Sequence, residues 1–121
     1  MERIKDIIGR VKELRMHKLY IGEEAANGMF RAKAFSEAQD YGDILEALKG
    51  IIEKDTEIDP YKIQRAVSLL HHIIPEKEKA LRVCDELYKP VLESELWVFR
   101  QALDILDRSP INEFFSKEER R

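Results

Sequence analysis

The chain lacks most of the features that announce chemistry. It has one cysteine, Cys84, in 121 residues. That excludes an intrachain disulfide and any C-x-x-C redox or metal motif. Glycine and proline are scarce, at five and four residues, so turns must be few and short. No Gly-rich phosphate loop is present, and no serine lies in a Gly-flanked elbow. No apolar run approaches the ~20 residues that cross a bilayer. The opening "MERIKDIIGRVKEL" is charged throughout and has no signal-peptide core, so a cytoplasmic location is expected. Neither sign of charge dominates. Lys and Arg number 21 against 24 Asp and Glu, and the net charge of −3 argues against nucleic acid as a partner. Asn and Gln are few beside Glu, Lys and Arg, a composition that leans towards thermophilic proteins.

What remains is a chain 44% apolar and 37% charged. The first figure builds one modest core, and the second suits amphipathic helices with densely charged outer faces. One domain is expected, a helical bundle over residues 1–116 with a frayed charged tail at 117–121. The apolar period is helical almost everywhere. Ile4, Ile7, Val11 and Leu14 mark a first helix, with a break expected near Gly22 or a continuation through it. A second segment, Glu23 to Asp40, is rich in small residues that would let neighbours approach closely, with Met29, Phe30 and Phe35 supplying bulk. Gly42 reads as a helix C-terminus and Asp43 as an N-cap, with Glu46 at capping-box spacing. The stripe Ile44, Leu45, Leu48, Ile51, Ile52 follows, then the loop "KDTEID".

Asp59-Pro60 reads as an N-cap followed by proline in the first turn. The helix it opens carries Ile63, Ala66, Val67, Leu70, Ile73 and Ile74, and Pro75 is expected to end it. Another helix runs from about Glu76 to Pro90, with Cys84 on its apolar stripe as a buried thiol. A further one starts near Ser94 and carries Leu96, Phe99, Ala102, Leu103 and Leu106. A last short helix from Ser109-Pro110 holds Ile111, Phe114 and Phe115. The expected fold is all-α, a single compact bundle of five to seven amphipathic helices with short loops.

Four constellations could carry function. The first lies in "RAVSLLHHIIP", where two of the three histidines stand side by side. Helical geometry splits them. His71 falls at the edge of the apolar stripe. His72, two turns after Arg65, shares an outer face with it. Arg65 and His72 at this spacing resemble the motif of the HEPN helical domains, some of which are metal-independent ribonucleases. That resemblance implies a clamp on phosphate by Arg65 and proton transfer at the 2′-hydroxyl by His72, both drawn from two halves of a dimer. Ala66 stands where the family motif favours a polar residue.

The second lies in "EEAANGMFRAKAFSEAQDYGDILEAL", which resembles the core of the MazG-like nucleotide pyrophosphatases. The resemblance aligns Glu24, Asn27, Asp40 and Asp43 with four carboxylates that hold Mg²⁺ against the phosphates of a nucleotide. Asn27 replaces one ligand and Asp40 shortens another. Mg²⁺ is implied only under this reading; no other cofactor is. The third is a line of Arg3, Arg10 and His17 at seven-residue steps, either a phosphate-contacting rail or a face beside an acidic neighbour. The fourth is aromatic. Trp97 stands next to the stripe of its helix, and Phe114 and Phe115 sit in a segment too short to bury them alone. These suit an interaction surface and self-association. By elimination the sequence favours a non-catalytic protein–protein interaction or scaffolding module, with homodimerisation as one form of it. The ribonuclease and pyrophosphatase readings are the alternatives.

Overall fold

A computed structural model describes residues 2–52 and 60–108. Within them the chain forms four helices and no strand: α1 (Glu2–Glu24), α2 (Gly28–Ile52), α3 (Pro60–Val83) and α4 (Lys89–Asp107). The all-α reading holds, and the count of five to seven helices is corrected to four among the described residues. Two expected boundaries vanish. α2 runs unbroken through Gly42 and Asp43, and α3 runs through Pro75. In each case the apolar phase continues across the breaker. Ala34, Ala38, Tyr41, Leu45 and Leu48 are buried along one side of α2. An interior glycine costs only about 1 kcal/mol, less than exposing that stripe would. Pro75 lies on the exposed side of α3, where the carbonyl it frees can be hydrated.

The real break comes at Ala25–Asn27, three residues beyond Gly22. Asn27 caps α2: its side-chain oxygen accepts from the Met29 N–H at 2.8 Å, and its carbonyl accepts from the Arg31 N–H at 3.0 Å. Arg31 reaches back to donate to the carbonyls of Gly22 and Glu23 at the end of α1, at 3.1 and 3.5 Å. Gly22 stays helical because α2 needs the space. A Cβ there would come within 2.9 Å of the Phe35 ring. Pro90 opens α4 instead of ending a preceding helix, since the first turn has no use for its missing N–H. The expected cap at Asp59, the loop before it, Ile111, Phe114, Phe115 and the tail at 117–121 lie outside the described residues.

Neighbouring helices run antiparallel. Lys18 pairs with Glu37, Arg65 with Asp43, Lys77 with Glu95 and Arg3 with Asp104, which fixes the up-down-up-down order α1–α2–α3–α4. α2 touches all three other helices, whereas α1 and α3 do not meet. The core gathers Ile7 and Val11 of α1, Ile44 and Leu48 of α2, Ile63, Ala66 and Leu70 of α3, and Phe99, Ala102 and Leu106 of α4. These residues occupy the early half of α1 and α3 and the later half of α2 and α4. One end of the bundle is therefore well filled. The other end carries the turns at 25–27 and 84–88.

Candidate functional site

Above the core the two hairpins α1–α2 and α3–α4 stand apart, and a cleft of about 500 Å³ opens between them. Its walls follow from helical spacing. Lys33, Ser36, Glu37, Asp40 and Tyr41 recur at three- and four-residue steps on α2, and His72, Ile73, Glu76, Lys77 and Ala80 do so on α3. Lys18 closes one side, and Tyr88, Leu92 and Glu95 close the other.

The cleft is polar but mostly self-neutralised. At its floor Lys77 Nζ donates to Glu95 Oε2 at 2.9 Å, with side chains only 14% and 11% exposed. The same ammonium lies 5.7 Å from the Phe99 ring centroid, and the Phe99 ring packs on Tyr41 at 5.1 Å. A buried pair of this kind is held by its geometry: each charge is costly without the other. Lys18 Nζ and Glu37 Oε2 meet at 2.9 Å on the rim. Burial pushes the Tyr41 phenol well above its ordinary pKa, and the carboxylates of Glu37, Glu95 and Asp40 add to the effect. Tyr41 therefore stays protonated and offers no phenolate. Asp40 is also raised, first by burial and then by Asp43, while Arg65 and His72 pull the other way.

The cluster around Asp40 joins residues that the sequence assigned to rival chemistries. Arg65 is exposed, as its phase implies, and its Nε donates to Asp43 Oδ2 at 3.1 Å across the α2–α3 flank. His72 lines the cleft, 74% exposed, with Nε2 3.4 Å from Glu76 Oε1. His71 is exposed instead of half-buried. Asp43 lies inside α2 and caps nothing; its partner is Arg65. Glu24 is exposed at the end of α1, beside the start of α2. Asp40 follows Gly28 by roughly 18 Å along the axis at 1.5 Å per residue, so the three carboxylates do not converge. No group of three His, Cys, Asp or Glu able to hold a metal exists among the described residues. Asn27, aligned with a lost ligand, is the cap of α2.

The line along α1 faces α4. Arg3 donates to Gln101 and, at 3.1 Å, to Asp104. Arg10 bonds Asp6 at 3.4 Å and lies over the Trp97 ring at 5.4 Å. His17 is exposed near Ser94 and Glu95 in a smaller hollow. Trp97 remains 47% exposed beneath Arg10. Cys84 falls in the α3–α4 turn, half-buried, and its thiol donates to the Leu81 carbonyl at 3.4 Å. The buried stripe expected for it ends one residue earlier, with α3.

Sequence reasoning missed Lys77–Glu95, whose partners lie on different helices and carry no common motif. It also missed the uncovered apolar residues near the turns at 25–27 and 84–88. Met29 is 83% exposed, Val83 86% and Leu87 89%, and Phe30 and Val91 are exposed as well. The signal was available in part, because Met29, Val83 and Val91 share the helical phase of cleft-wall residues. Met29 stands one turn before Lys33, Val83 two turns after Glu76, and Val91 one turn before Glu95. No helix among the described residues is long and apolar enough to cross a membrane. Comparison with known protein families, with curated proteins and with solved structures finds no match to this chain.

Proposed function

We propose that this chain is a non-catalytic helical interaction module that docks protein through the open end of its bundle. One observation carries the reading. Large apolar side chains, led by Met29, Val83 and Leu87, are left uncovered around the two turns at one end of the bundle. Single exposed apolar residues are ordinary on protein surfaces. Several large ones gathered around the turns of one end suit a contact site. The cleft between two hairpins suits an inserted helical element, whose apolar face would lie on these residues while its polar edges meet the charged rim.

The enzyme readings have less behind them. A HEPN-like nuclease needs Arg65 free to clamp phosphate, and Arg65 is engaged with Asp43. A pyrophosphatase needs Glu24 beside Asp40 and Asp43, and roughly 18 Å of α2 separates them. A photo-crosslinking residue placed at Met29 or at Leu87 tests the proposal in extracts of the cell that makes the protein. Both positions should yield a discrete protein adduct, and the same residue at Lys12, exposed on α1, should yield none. Absence of any adduct from the open end overturns the proposal. So does ribonuclease activity abolished by His72→Ala, or a melting temperature raised by Mg²⁺ in the wild type and not in Asp43→Asn.

A further inference from the structure

One polar group in the cleft is buried and does nothing for the fold. Tyr41 is only 2% exposed, and its ring packs on Phe99. Its hydroxyl has no hydrogen-bond partner among the described residues. No side-chain oxygen or nitrogen sealed from solvent is left unpartnered there, so this oxygen opens on the cleft. The groups whose fields reach it, Glu37, Glu95, Asp40 and Tyr88, all line that cleft.

The remaining charges say what the hydroxyl would meet. Glu37 and Glu95 are neutralised by Lys18 and Lys77. Glu76 meets only the exposed imidazole of His72. Asp40, beside Tyr41 and half-buried, has no ion pair among the described residues, and Arg65 is already bonded to Asp43. Lys33 is likewise unpaired, but it is exposed to water, where a charge attracts weakly. The deeper uncommitted charge is therefore negative, and the cleft favours a cation. A bare metal ion is a poor candidate, since no three His, Cys, Asp or Glu among the described residues could hold one. An ammonium needs only acceptors for its three N–H groups. Ile73 and Leu92 offer an apolar footing for a stem, and Tyr88 adds an aromatic ring of the kind that attracts cations.

We infer that the cleft binds a primary alkylammonium, which donates to the Asp40 carboxylate and the Tyr41 hydroxyl and lays its stem on Ile73 and Leu92. The site goes beyond the interaction reading and stands without it: failure of the crosslinks at Met29 and Leu87 leaves it untouched. A free alkylamine and a lysine side chain of a docked protein carry the same group.

Nuclear magnetic resonance titration of the full chain with n-butylammonium chloride tests this. Backbone amides of Asp40, Tyr41 and Leu92 should shift saturably, and sodium chloride, n-butanol and n-butyrate should not reproduce the effect. Asp40→Asn should weaken binding about tenfold or more, and Tyr41→Phe about fivefold. Tyr41→Phe should also melt no lower than the wild type, because its lost oxygen had no partner in the protein. Tighter binding of Nα-acetyl-lysine amide than of n-butylammonium assigns the group to a lysine side chain, and the reverse order to a free amine. Absence of saturable shifts with both amines overturns the inference. So does equal binding of n-butanol, n-butyrate shifting the same amides, or unchanged affinity in either variant. A Tyr41→Phe protein that melts below the wild type would make the hydroxyl structural and overturn its assigned role.

Discussion

The two ends of the bundle are built from the same four helices and are packed very differently. At the filled end α2 and α3 are joined by Arg65–Asp43 and Lys62–Glu46, and α1 reaches α4 through Arg3–Asp104. Phe99, Ile44, Leu48, Ile63, Leu70 and Leu106 are fully enclosed. At the open end Met29, Val83 and Leu87, near the turns that join the helices, face water. On the proposed reading this divides the roles: the filled end supplies stability, and the open end binds.

That division can be broken most sharply by truncating one large residue at each end. Phe99→Ala empties the centre of the core and should cost about 3–5 kcal/mol, since the enclosed ring leaves a cavity. Leu87→Ser should change monomer stability by less than about 0.5 kcal/mol while abolishing the crosslinked adduct at Met29. Urea unfolding of both variants measures the contrast, and comparable losses would show that the open end is core after all.

The boundary between the two ends is the Lys77–Glu95 pair. Lys77→Ala leaves the Glu95 carboxylate buried without its partner and should cost about 3 kcal/mol, whereas Lys77→Met/Glu95→Leu should recover most of that loss. Thermal melts of the three proteins decide the matter. A single variant as stable as the wild type would mean that the cleft floor is open to water.

The smallest effect concerns Asp40 in the cleft wall. Burial and Asp43 hold its carboxyl above the ordinary 3.8. A carboxyl whose pKa rises on folding binds its proton more tightly in the native state. Ionised, it opposes folding, and the opposition disappears as pH falls through the folded pKa and below the unfolded one. Asp40→Asn should therefore raise the melting temperature at neutral pH and leave it unchanged at about pH 3, where the wild-type group is protonated in both states. An equal shift at both pH values would place the effect elsewhere.

Much of the fold was legible in the residues, and the parts that were not share a cause. The stripes Ile7–Val11, Ile44–Leu48, Ile63–Leu70 and Leu96–Phe99 were readable because a helix repeats its buried face every three or four residues. The breaks at Gly42, Asp43 and Pro75 were misread because capping chemistry is local and weak, about 1 kcal/mol for a cap. Burial summed along a continuous stripe outweighs it. Asn27 was read as a lost metal ligand because an alignment weighs residue type, while its work is to accept the N–H of Met29. Arg65 and His72 are exposed as their phase implies, but phase along one helix cannot say that Asp43 of α2 pairs with Arg65.

The sequence by itself determined an all-helical chain, its core-facing residues and the absence of any disulfide or spanning segment. Those properties depend on spacing and composition, which a linear chain carries in full. Tertiary structure alone decided that six segments merge into four helices, that Lys77 finds Glu95 and Arg65 finds Asp43, and that one end of the bundle stays open. Each of those depends on the approach of residues far apart in the chain, and distance across a fold is not written in local pattern.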